Sequence, residues 1–291
     1  MTSDSHRNDD FLKLHQIIAK TFRKAKRWYV GYLFCQLVVL IFAVASIFTQ
    51  VNPNLSALVA FLGVLATECV RWRSDFWKFE GESAKRKLEA ADGFGSAVDR
   101  SSIADWLAAK PKGFLNDVVP VEIQGSEFDS NRPAGALRAV ENTLESAWWS
   151  KHLSRRMVVY LSFILFVIVA VALIALTFSI ASLKSATIQQ SGAVVQNVGG
   201  ILCAVLIFVF SINVVRLLTD FFVFAADAKE ILRRCSELAK SSSVTEREAL
   251  AVMHDYQIAR NSAPLLPTIV WEIHGKHLRE QWACYRPKHG D

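Results

Sequence analysis

Three apolar runs, each long enough to cross a lipid bilayer, limit the folds open to this chain more than any other feature. They are Tyr29–Thr49, Val158–Ala181 and Ala193–Val215. A helix of about 20 apolar residues spans a hydrocarbon core about 30 Å thick. A shorter run, Leu55–Val70, contains Glu68 but follows the first run after only five residues, so we interpret it as the return crossing. The sequence therefore predicts an all-α membrane protein with four transmembrane helices in two hairpins.

These spans divide the chain into a basic N-terminal arm, a first hairpin, a central segment, a second hairpin and a tail. The five segments cover residues 1–28, 29–70, 71–157, 158–215 and 216–291. Lys and Arg number seven in the arm, fourteen in the central segment and eleven in the tail, against one in the short connections within the hairpins. Because Lys and Arg near membrane spans stay in the cytoplasm, we predict that both termini and the central segment are cytoplasmic.

The net charge of +6 is explained by this topology and by contact with the anionic headgroups of the lipid bilayer. We expect no nucleic-acid partner.

Helical periodicity continues beyond the second and fourth spans. After span two, apolar residues recur at helical spacing until Gly93 and Gly95, which are suitable helix stops. After span four, a 4-3 alternation extends over three heptads and is typical of a helix packed on other helices. Its members are Leu217, Phe221, Phe224, Ala228, Ile231, Cys235 and Leu238. We expect these extensions to form a cytoplasmic helical bundle, and the seam lies either within one protomer or between protomers.

The remaining cytoplasmic segments alternate between connector and helix. Residues 106–133 contain three prolines and little periodicity, so they are interpreted as a connector. A helical pattern resumes near Ala134 and leads into span three. In the tail, Ser243 and Glu246 fit a capping box that starts a helix ending near Asn261. The turn that contains Pro264 and Pro267 then separates this helix from a last one, which covers about residues 268–282.

Polar and small side chains form stripes on spans one, two and four, and two interpretations are open. Small residues permit close helix packing, whereas polar groups in lipid often line a water-filled path. Since four helices of one protomer pack without leaving a channel, a pore requires a homo-oligomer. Glu68 and Arg71 lie one turn apart and either pair with each other or ring a pore mouth. The pore-lining candidates are Gln36, Ser46, Ser56, Gly63, Thr67, Glu68, Arg71, Gln196 and Asn213.

The sequence lacks the common motifs of catalysis and cofactor binding. It has no Gly-rich phosphate loop, H-E-x-x-H, G-x-S-x-G or C-x-x-C pair. His274 and His277 share a helix face, but no third ligand is identifiable, so no metal site is predicted. Trp148 and Trp149 are interpreted as interfacial residues at the edge of span three. We therefore expect neither catalytic residues nor a cofactor, and we predict that the protein is not an enzyme.

The layout resembles a bacterial family, the SMODS-associating four-transmembrane effectors of cyclic-oligonucleotide anti-phage defence (CBASS). The resemblance is carried by "ENTLESAWWSKHLSRRM" before span three and by "YQIARNSAPLLPTIVWEIH" in the tail. It implies a multi-pass protein of the bacterial inner membrane that forms or opens a pore. It also implies that a cyclic oligonucleotide made on infection is the ligand.

A nucleotide ligand brings phosphates that suit Arg and bases that stack on aromatic rings. On the tail helix, Tyr256 and Arg260 share a face, with Gln257 beside them. The ligand-binding candidates are Tyr256, Gln257, Arg260, Lys151, Arg155 and Arg156. The alternative function is a membrane-anchored scaffold or regulator whose cytoplasmic helices bind a partner protein. A membrane enzyme with an unrecognised site is a third alternative.

Overall fold

The computed structural model describes residues 2–49, 53–116, 128–185, 214–241 and 243–286. Within these ranges all regular structure is α-helical, in agreement with the predicted class. The helices are α1 (Thr2–Thr49), α2 (Pro53–Phe94), α3 (Arg100–Ala108), α4 (Ala136–Ser185), α5 (Val214–Lys240), α6 (Glu246–Ser262) and α7 (Thr268–Tyr285).

The chain forms two compact units. One, the polar unit, comprises Met1–Lys26, Asp75–Arg156 and Asp220–Asp291. The other, the apolar unit, comprises Arg27–Ser74 and Met157–Thr219. Helices α1, α2, α4 and α5 each contribute residues to both units.

Among the described residues, one helical segment is long and apolar enough to cross a membrane. This segment lies in Ala136–Ala170 of α4, and an 18-residue stretch within it has a mean hydropathy of 1.9. It includes the start of predicted span three, where Phe163 and Phe166 are 66% and 69% exposed. Predicted spans one and two lie in α1 and α2. Residues 193–213 of predicted span four lie outside the described residues, and the number of spans stays a prediction.

Within the apolar unit, α1 and α2 approach closely at Gly63. A Cβ atom at this position would lie 2.5 Å from Cγ2 of Val39, closer than two carbon atoms can pack. Gly31 on α1 faces Val70 on α2 with more room, since its Cβ would lie 3.6 Å from Cγ1 of Val70. This contact through a small residue matches the packing interpretation of the polar and small stripes.

The N-terminal arm is part of the polar unit as the first half of α1. Its residues Leu14, Ile17 and Thr21 are buried, at helical spacing of three and four residues. Leu14 and Ile17 pack with Leu88 of α2 and Ile103 of α3 in one apolar cluster. The arm, which the sequence analysis characterised only by its charge, is thus a core helix on one face.

The segment between α2 and α4 contains a helix that we did not predict. Helix α3 begins after Asp99, whose carboxylate accepts the backbone N–H of Ser101 at 3.0 Å, as an N-cap residue does. It ends at Ala108, so the prediction of a connector from residue 106 onward is wrong for the first three residues. Stacking of Phe114 on Trp77 of α2, with ring centroids 5.8 Å apart, holds the chain beyond α3 against α2.

The two long extensions form as predicted where the structure describes them. Helix α2 continues to Phe94, and Gly95 follows with φ of 71° and its N–H bonded to the Ala91 carbonyl. This left-handed conformation is favourable for glycine and ends the helix. On α5, the seam from Phe221 to Cys235 is buried within the protomer. Packing inside one protomer therefore accounts for the seam.

Helix α6 begins two residues later than predicted. Thr245, rather than Ser243, is the N-cap, and it exchanges hydrogen bonds with Glu248 in a capping box. Both pairs fit the S/T-x-x-E pattern, so the pattern alone does not select between them. In the structure the N–H of Ser243 instead meets the Ser241 hydroxyl at 3.4 Å, in the turn after α5.

Candidate ligand-binding site

The polar unit contains a cavity of about 780 Å³. Sites for small organic ligands typically have volumes of about 300–1,000 Å³. Helices α1, α2, α4, α5, α6 and α7 all contribute to its wall, together with the chain around Phe128 and the turn between α6 and α7. The wall is rich in aromatic and cationic side chains, and the helical repeat explains how each helix presents them.

Each helix presents residues that recur every three or four positions and so share one face. Helix α2 presents Lys78, Glu82 and Lys85, and α6 presents Tyr256 and Arg260. Helix α4 presents a face that alternates serine with larger residues. Its lining residues are Glu145, Ser146, Trp149, Ser150, Leu153 and Ser154.

Arg260 is the most extensively bonded side chain of this wall. Its Nε donates to Oε2 of Glu82 at 2.7 Å, and its Nη1 and Nη2 donate to the two carboxylate oxygens of Glu89. All three side chains are buried. Burial alone lowers the pKa of Arg260, but the charges of Glu89 and Glu82 outweigh it and hold that pKa well above its ordinary value. Arg260 thus stays charged and fixes α6 to α2.

Tyr256 makes the corresponding connection from α6 to α4. Its hydroxyl donates to the Ser146 carbonyl at 3.1 Å and lies 2.8 Å from the hydroxyl of Ser150. The guanidinium carbon of Arg260 lies 5.2 Å from the centre of the Tyr256 ring, within the range of a cation–π contact. Tyr256 and Arg260 therefore form one network that joins α2, α4 and α6 at the cavity.

Lys78 connects α2 to the end of α6. Its ammonium group donates to the backbone carbonyls of Asn261, at 2.7 Å, and Ala263. These carbonyls belong to the last turn of α6, where the backbone has no further helical donors. Burial lowers the pKa of Lys78, and the nearby carboxylate of Glu82 opposes this only in part.

Among the described residues of the wall, five cationic side chains face three acidic ones. The cations are Lys26, Lys78, Lys85, Arg260 and Arg279, and the acids are Glu82, Asp129 and Glu145.

Each of these acids accepts a hydrogen bond from the protein. Glu82 accepts from Arg260, Asp129 accepts from the Trp282 indole at 2.9 Å, and Glu145 accepts from the Asp129 N–H at 3.0 Å. When Glu89, which is bonded to Arg260, is included, the cations still outnumber the acids by one, and this favours an anionic ligand.

Aromatic rings form a second group on the wall, and two of them belong to a tryptophan pair. The ring centroids of Trp149 on α4 and Trp271 on α7 lie 4.8 Å apart. Trp149 is half-buried and Trp271 is 37% exposed, so both retain accessible surface. Such rings are suited to stacking against a planar group of a ligand.

The structure brings some of the predicted ligand-binding residues together and separates others. Tyr256 and Arg260 line the cavity, whereas Gln257 is buried beside it and donates to Glu89 at 3.1 Å. Lys151, which lies between the lining residues Ser150 and Leu153, does not line the cavity, and neither do Arg155 and Arg156 just beyond them on α4. Arg155 and Arg156 are exposed. Burial, and next the charge of Arg155, lower the pKa of the half-buried Lys151.

Besides Gly63, the predicted pore-lining residues fall into four pairs. Gln36 and Thr67 are buried, and the Thr67 hydroxyl donates to the Gly63 carbonyl at 2.7 Å. Arg71 and Glu68 lie 3.6 Å apart as an ion pair, which realises one of their two predicted arrangements.

Ser46 and Ser56 lie within α1 and α2. Gln196 and Asn213 lie outside the described residues.

Neither the Trp149–Trp271 pair nor the burial of Trp148 is predicted from the sequence. Trp148 was interpreted as interfacial, but it is 4% exposed and its ring centroid lies 5.3 Å from that of Trp282 on α7. Its neighbour Trp149 lines the cavity. The sequence does contain one signal for this burial. Leu144 and Trp148 are four residues apart, as residues on one face of a helix are, and both belong to the buried face of α4.

The arrangement provides binding groups for a small molecule that combines negative charge with planar rings. Among the described residues, no group of three or more His, Cys, Asp or Glu side chains is placed to hold a metal ion. His277, one of the two histidines considered as metal ligands, lies 3.0 Å from the Gln281 amide. Comparison of the chain with protein-family models, with curated proteins and with solved structures finds no match.

Proposed function

We propose that this protein is a multi-pass effector of the bacterial inner membrane that permeabilises the membrane when a cyclic oligonucleotide binds in the cavity of the polar unit. In this proposal four spans cross the membrane, both termini are cytoplasmic, and several copies assemble around the pore. The observation that carries the proposal is the cavity of about 780 Å³, lined by cations and aromatic rings.

The chemistry of the cavity suits such a ligand. Phosphates bind Lys and Arg, and bases stack on aromatic side chains. The long apolar segment of α4 supports the membrane location. Its continuity with the lining residues Ser146 to Ser154 offers a mechanical connection, because the same helix contributes to the cavity and to the apolar unit.

A ligand opens a pore only if it binds the open or assembled state more tightly than the closed state. The wall is assembled from six helices. A ligand that contacts several of these helices at once stabilises the arrangement of the helices that best fits its shape. We propose that this selection is transmitted along α2, α4 and α5.

The direct test is leakage from liposomes that contain the purified full-length protein. Release of an ionic dye should follow addition of cyclic oligonucleotides and should not follow addition of the linear products of their hydrolysis. Glu68→Ala and Arg71→Ala should change the ratio of cation to anion flux if this pair lies at a pore mouth. Absence of leakage with every cyclic oligonucleotide tested rejects the effector function.

A second candidate function is a membrane-anchored scaffold, and exposed apolar side chains on α6 and α7 favour it. Ile258, Ile269 and Ile273 are 57%, 61% and 59% exposed. Exposed apolar residues in proximity often mark a protein interface. A scaffold gives no leakage with any ligand, and Ile269→Glu with Ile273→Glu should then abolish its partner binding while leaving the cavity unaffected.

A further inference from the structure

The lysines and the tryptophans of the cavity wall belong to different helices. Lys26 and Lys78 belong to α1 and α2, whereas Trp149 and Trp271 belong to α4 and α7. Arg260 on α6 lines the same cavity, but its guanidinium group is already hydrogen-bonded to the carboxylates of Glu82 and Glu89.

We propose that a planar ring of the ligand stacks on the Trp149–Trp271 pair, that its anionic groups bind Lys26 and Lys78, and that Arg260 is a positioning residue and not a ligand contact. The nature of the ligand rests on the function proposed above. The assignment reverses the expectation that Arg260 binds phosphate.

The commitment of Arg260 follows from its geometry. Each of its three guanidinium nitrogens donates to a carboxylate oxygen, one on Glu82 and two on Glu89. If Arg260 turned toward a phosphate, the buried Glu89 would lose its counter-charge. An unpaired buried carboxylate is strongly unfavourable. A contact between the ligand and this guanidinium would therefore contribute little to affinity.

The two lysines are placed differently. The ammonium group of Lys78 is bonded to the neutral carbonyls of Asn261 and Ala263, so an added anion does not have to displace a carboxylate from it. Burial lowers the pKa of Lys26, and Glu272 opposes this only in part. An anion in the cavity stabilises both ammonium groups, and this stabilisation contributes directly to ligand affinity.

The tryptophan pair accounts for the planar part of the ligand. The two rings are tilted by 41° with centroids 4.8 Å apart, so they contact each other without a full face-to-face stack. A purine or pyrimidine ring can stack on the cavity-facing side of either indole. Stacking of this kind contributes affinity without selecting one base strongly.

The experiment is a titration of intrinsic tryptophan fluorescence in detergent-solubilised full-length protein. The probes are cyclic di- and trinucleotides of adenine and guanine, adenosine as a ring without phosphate, and inorganic triphosphate as phosphate without a ring. Trp271→Leu should weaken binding of the cyclic nucleotides about tenfold and leave triphosphate binding unchanged. Lys26→Met and Lys78→Met should weaken both.

Two matched controls isolate the site. Trp72→Phe changes an exposed tryptophan and Lys112→Gln changes an exposed lysine, and neither residue lines the cavity. Both controls should bind every probe like the parent protein. If Trp271→Leu and Trp149→Leu both bind cyclic nucleotides normally, or if no probe quenches the parent protein, the assignment is rejected.

Arg260 is tested by removing its charge together with those of its partners. The triple variant Arg260→Met, Glu82→Met, Glu89→Leu removes the guanidinium together with both carboxylates that it bonds, so that neither carboxylate is left without Arg260. A positioning role predicts that its affinity for cyclic nucleotides stays within about threefold of the parent, whereas a direct contact predicts a loss of about tenfold or more. Arg260→Lys, which keeps the charge, provides the same comparison if the triple variant does not fold.

Liposome leakage separates the two proposals. Nucleotide binding at the tryptophan pair without leakage rejects the effector function and retains the site. Leakage that is equally sensitive to cyclic nucleotides in the parent, Trp271→Leu and Lys78→Met retains the effector function and rejects the site.

Discussion

Arg260 and Glu82 are separated by 178 residues in the sequence, yet their side chains form a buried ion pair with Nε and Oε2 2.7 Å apart. Glu89, two turns further along α2, binds the other two guanidinium nitrogens. Arg260 is thereby the shared counter-charge of two carboxylates on one face of α2. The fold of the polar unit depends on this residue in a way that its position in the sequence does not reveal.

Arg260→Ala should therefore destabilise the protein strongly. It leaves Glu82 and Glu89 buried without their guanidinium counter-charge, a change that typically costs about 3–5 kcal/mol. The expected result is a marked fall in the unfolding temperature, measured by thermal denaturation of the detergent-solubilised protein.

Arg233 provides the matched control for this variant. It also bonds two glutamates, Glu230 and Glu237, both at 2.5 Å, but all three side chains are more than half exposed. Because exposed ion pairs are screened by solvent and contribute little, Arg233→Ala should leave the unfolding temperature almost unchanged. Equal effects of the two variants would show that Arg260 does not neutralise a buried charge.

The same network predicts how stability depends on pH. Burial alone raises the pKa of Glu89, but the charge and hydrogen bonds of Arg260 outweigh it and hold that pKa below its ordinary value of 4.5. A carboxylate with a lowered pKa stabilises the folded state above its unfolded pKa, and this stabilisation is lost as the pH falls through the folded pKa. Stability should therefore decline below about pH 4.5.

Glu89→Gln tests this assignment. The variant should be less stable than the parent at neutral pH, because Arg260 loses one of its two counter-charges. Its unfolding temperature should also change less between about pH 4.5 and pH 3, since one titrating group has been removed. A pH profile parallel to that of the parent would assign the acid sensitivity to other carboxylates.

Lys78→Met should weaken the connection between α2 and the end of α6. The lysine donates to the carbonyls of Asn261 and Ala263, and hydrogen bonds from charged donors contribute about 1.5–3 kcal/mol each. The backbone amides of Ala263, Leu265 and Leu266 should then exchange hydrogen faster. Lys112→Met, at an exposed lysine, should leave their exchange rates unchanged.

The helices of the tail were predictable because their signals are local. Pro264 and Pro267 separate α6 from α7, and the glycine pair after span two marks the end of α2. The pairing of Arg260 with Glu82 and Glu89 was not predictable, because the sequence neighbours of Arg260 give no indication of either glutamate. Pairings between distant segments depend on the tertiary fold, which local patterns do not encode.

Two further differences between the sequence-based predictions and the structure also arise because local patterns do not encode tertiary contacts. The arm was characterised by its charge, although Leu14, Ile17 and Thr21 already had the spacing of a core-facing helix. Trp148 was placed at the membrane edge because tryptophan is common there. Its burial against Trp282 of α7 is a contact over 134 residues that composition does not predict.

The position of the N-cap of α6 can be tested directly. Thr245→Ala removes the hydroxyl that accepts the Glu248 N–H, and the loss of an N-cap typically costs about 1 kcal/mol. Ser243→Ala, at the position that the sequence pattern equally favours, should change stability by less than about 0.5 kcal/mol. The reverse order of the two effects would place the start of the helix at Ser243.

The close approach of α1 and α2 in the apolar unit gives a steric prediction. A Cβ at Gly63 would lie 2.5 Å from Cγ2 of Val39, and the branched valine has little freedom to move aside. Gly63→Ala should therefore separate the two helices, lowering the unfolding temperature and the yield of monodisperse protein. Gly31→Ala is the control, because its Cβ would lie 3.6 Å from Val70, an ordinary contact distance. The double variant Gly63→Ala, Val39→Ala removes the clashing methyl group and should recover most of the loss, whereas a failure to recover would mean that Gly63 is required for some reason other than its contact with Val39.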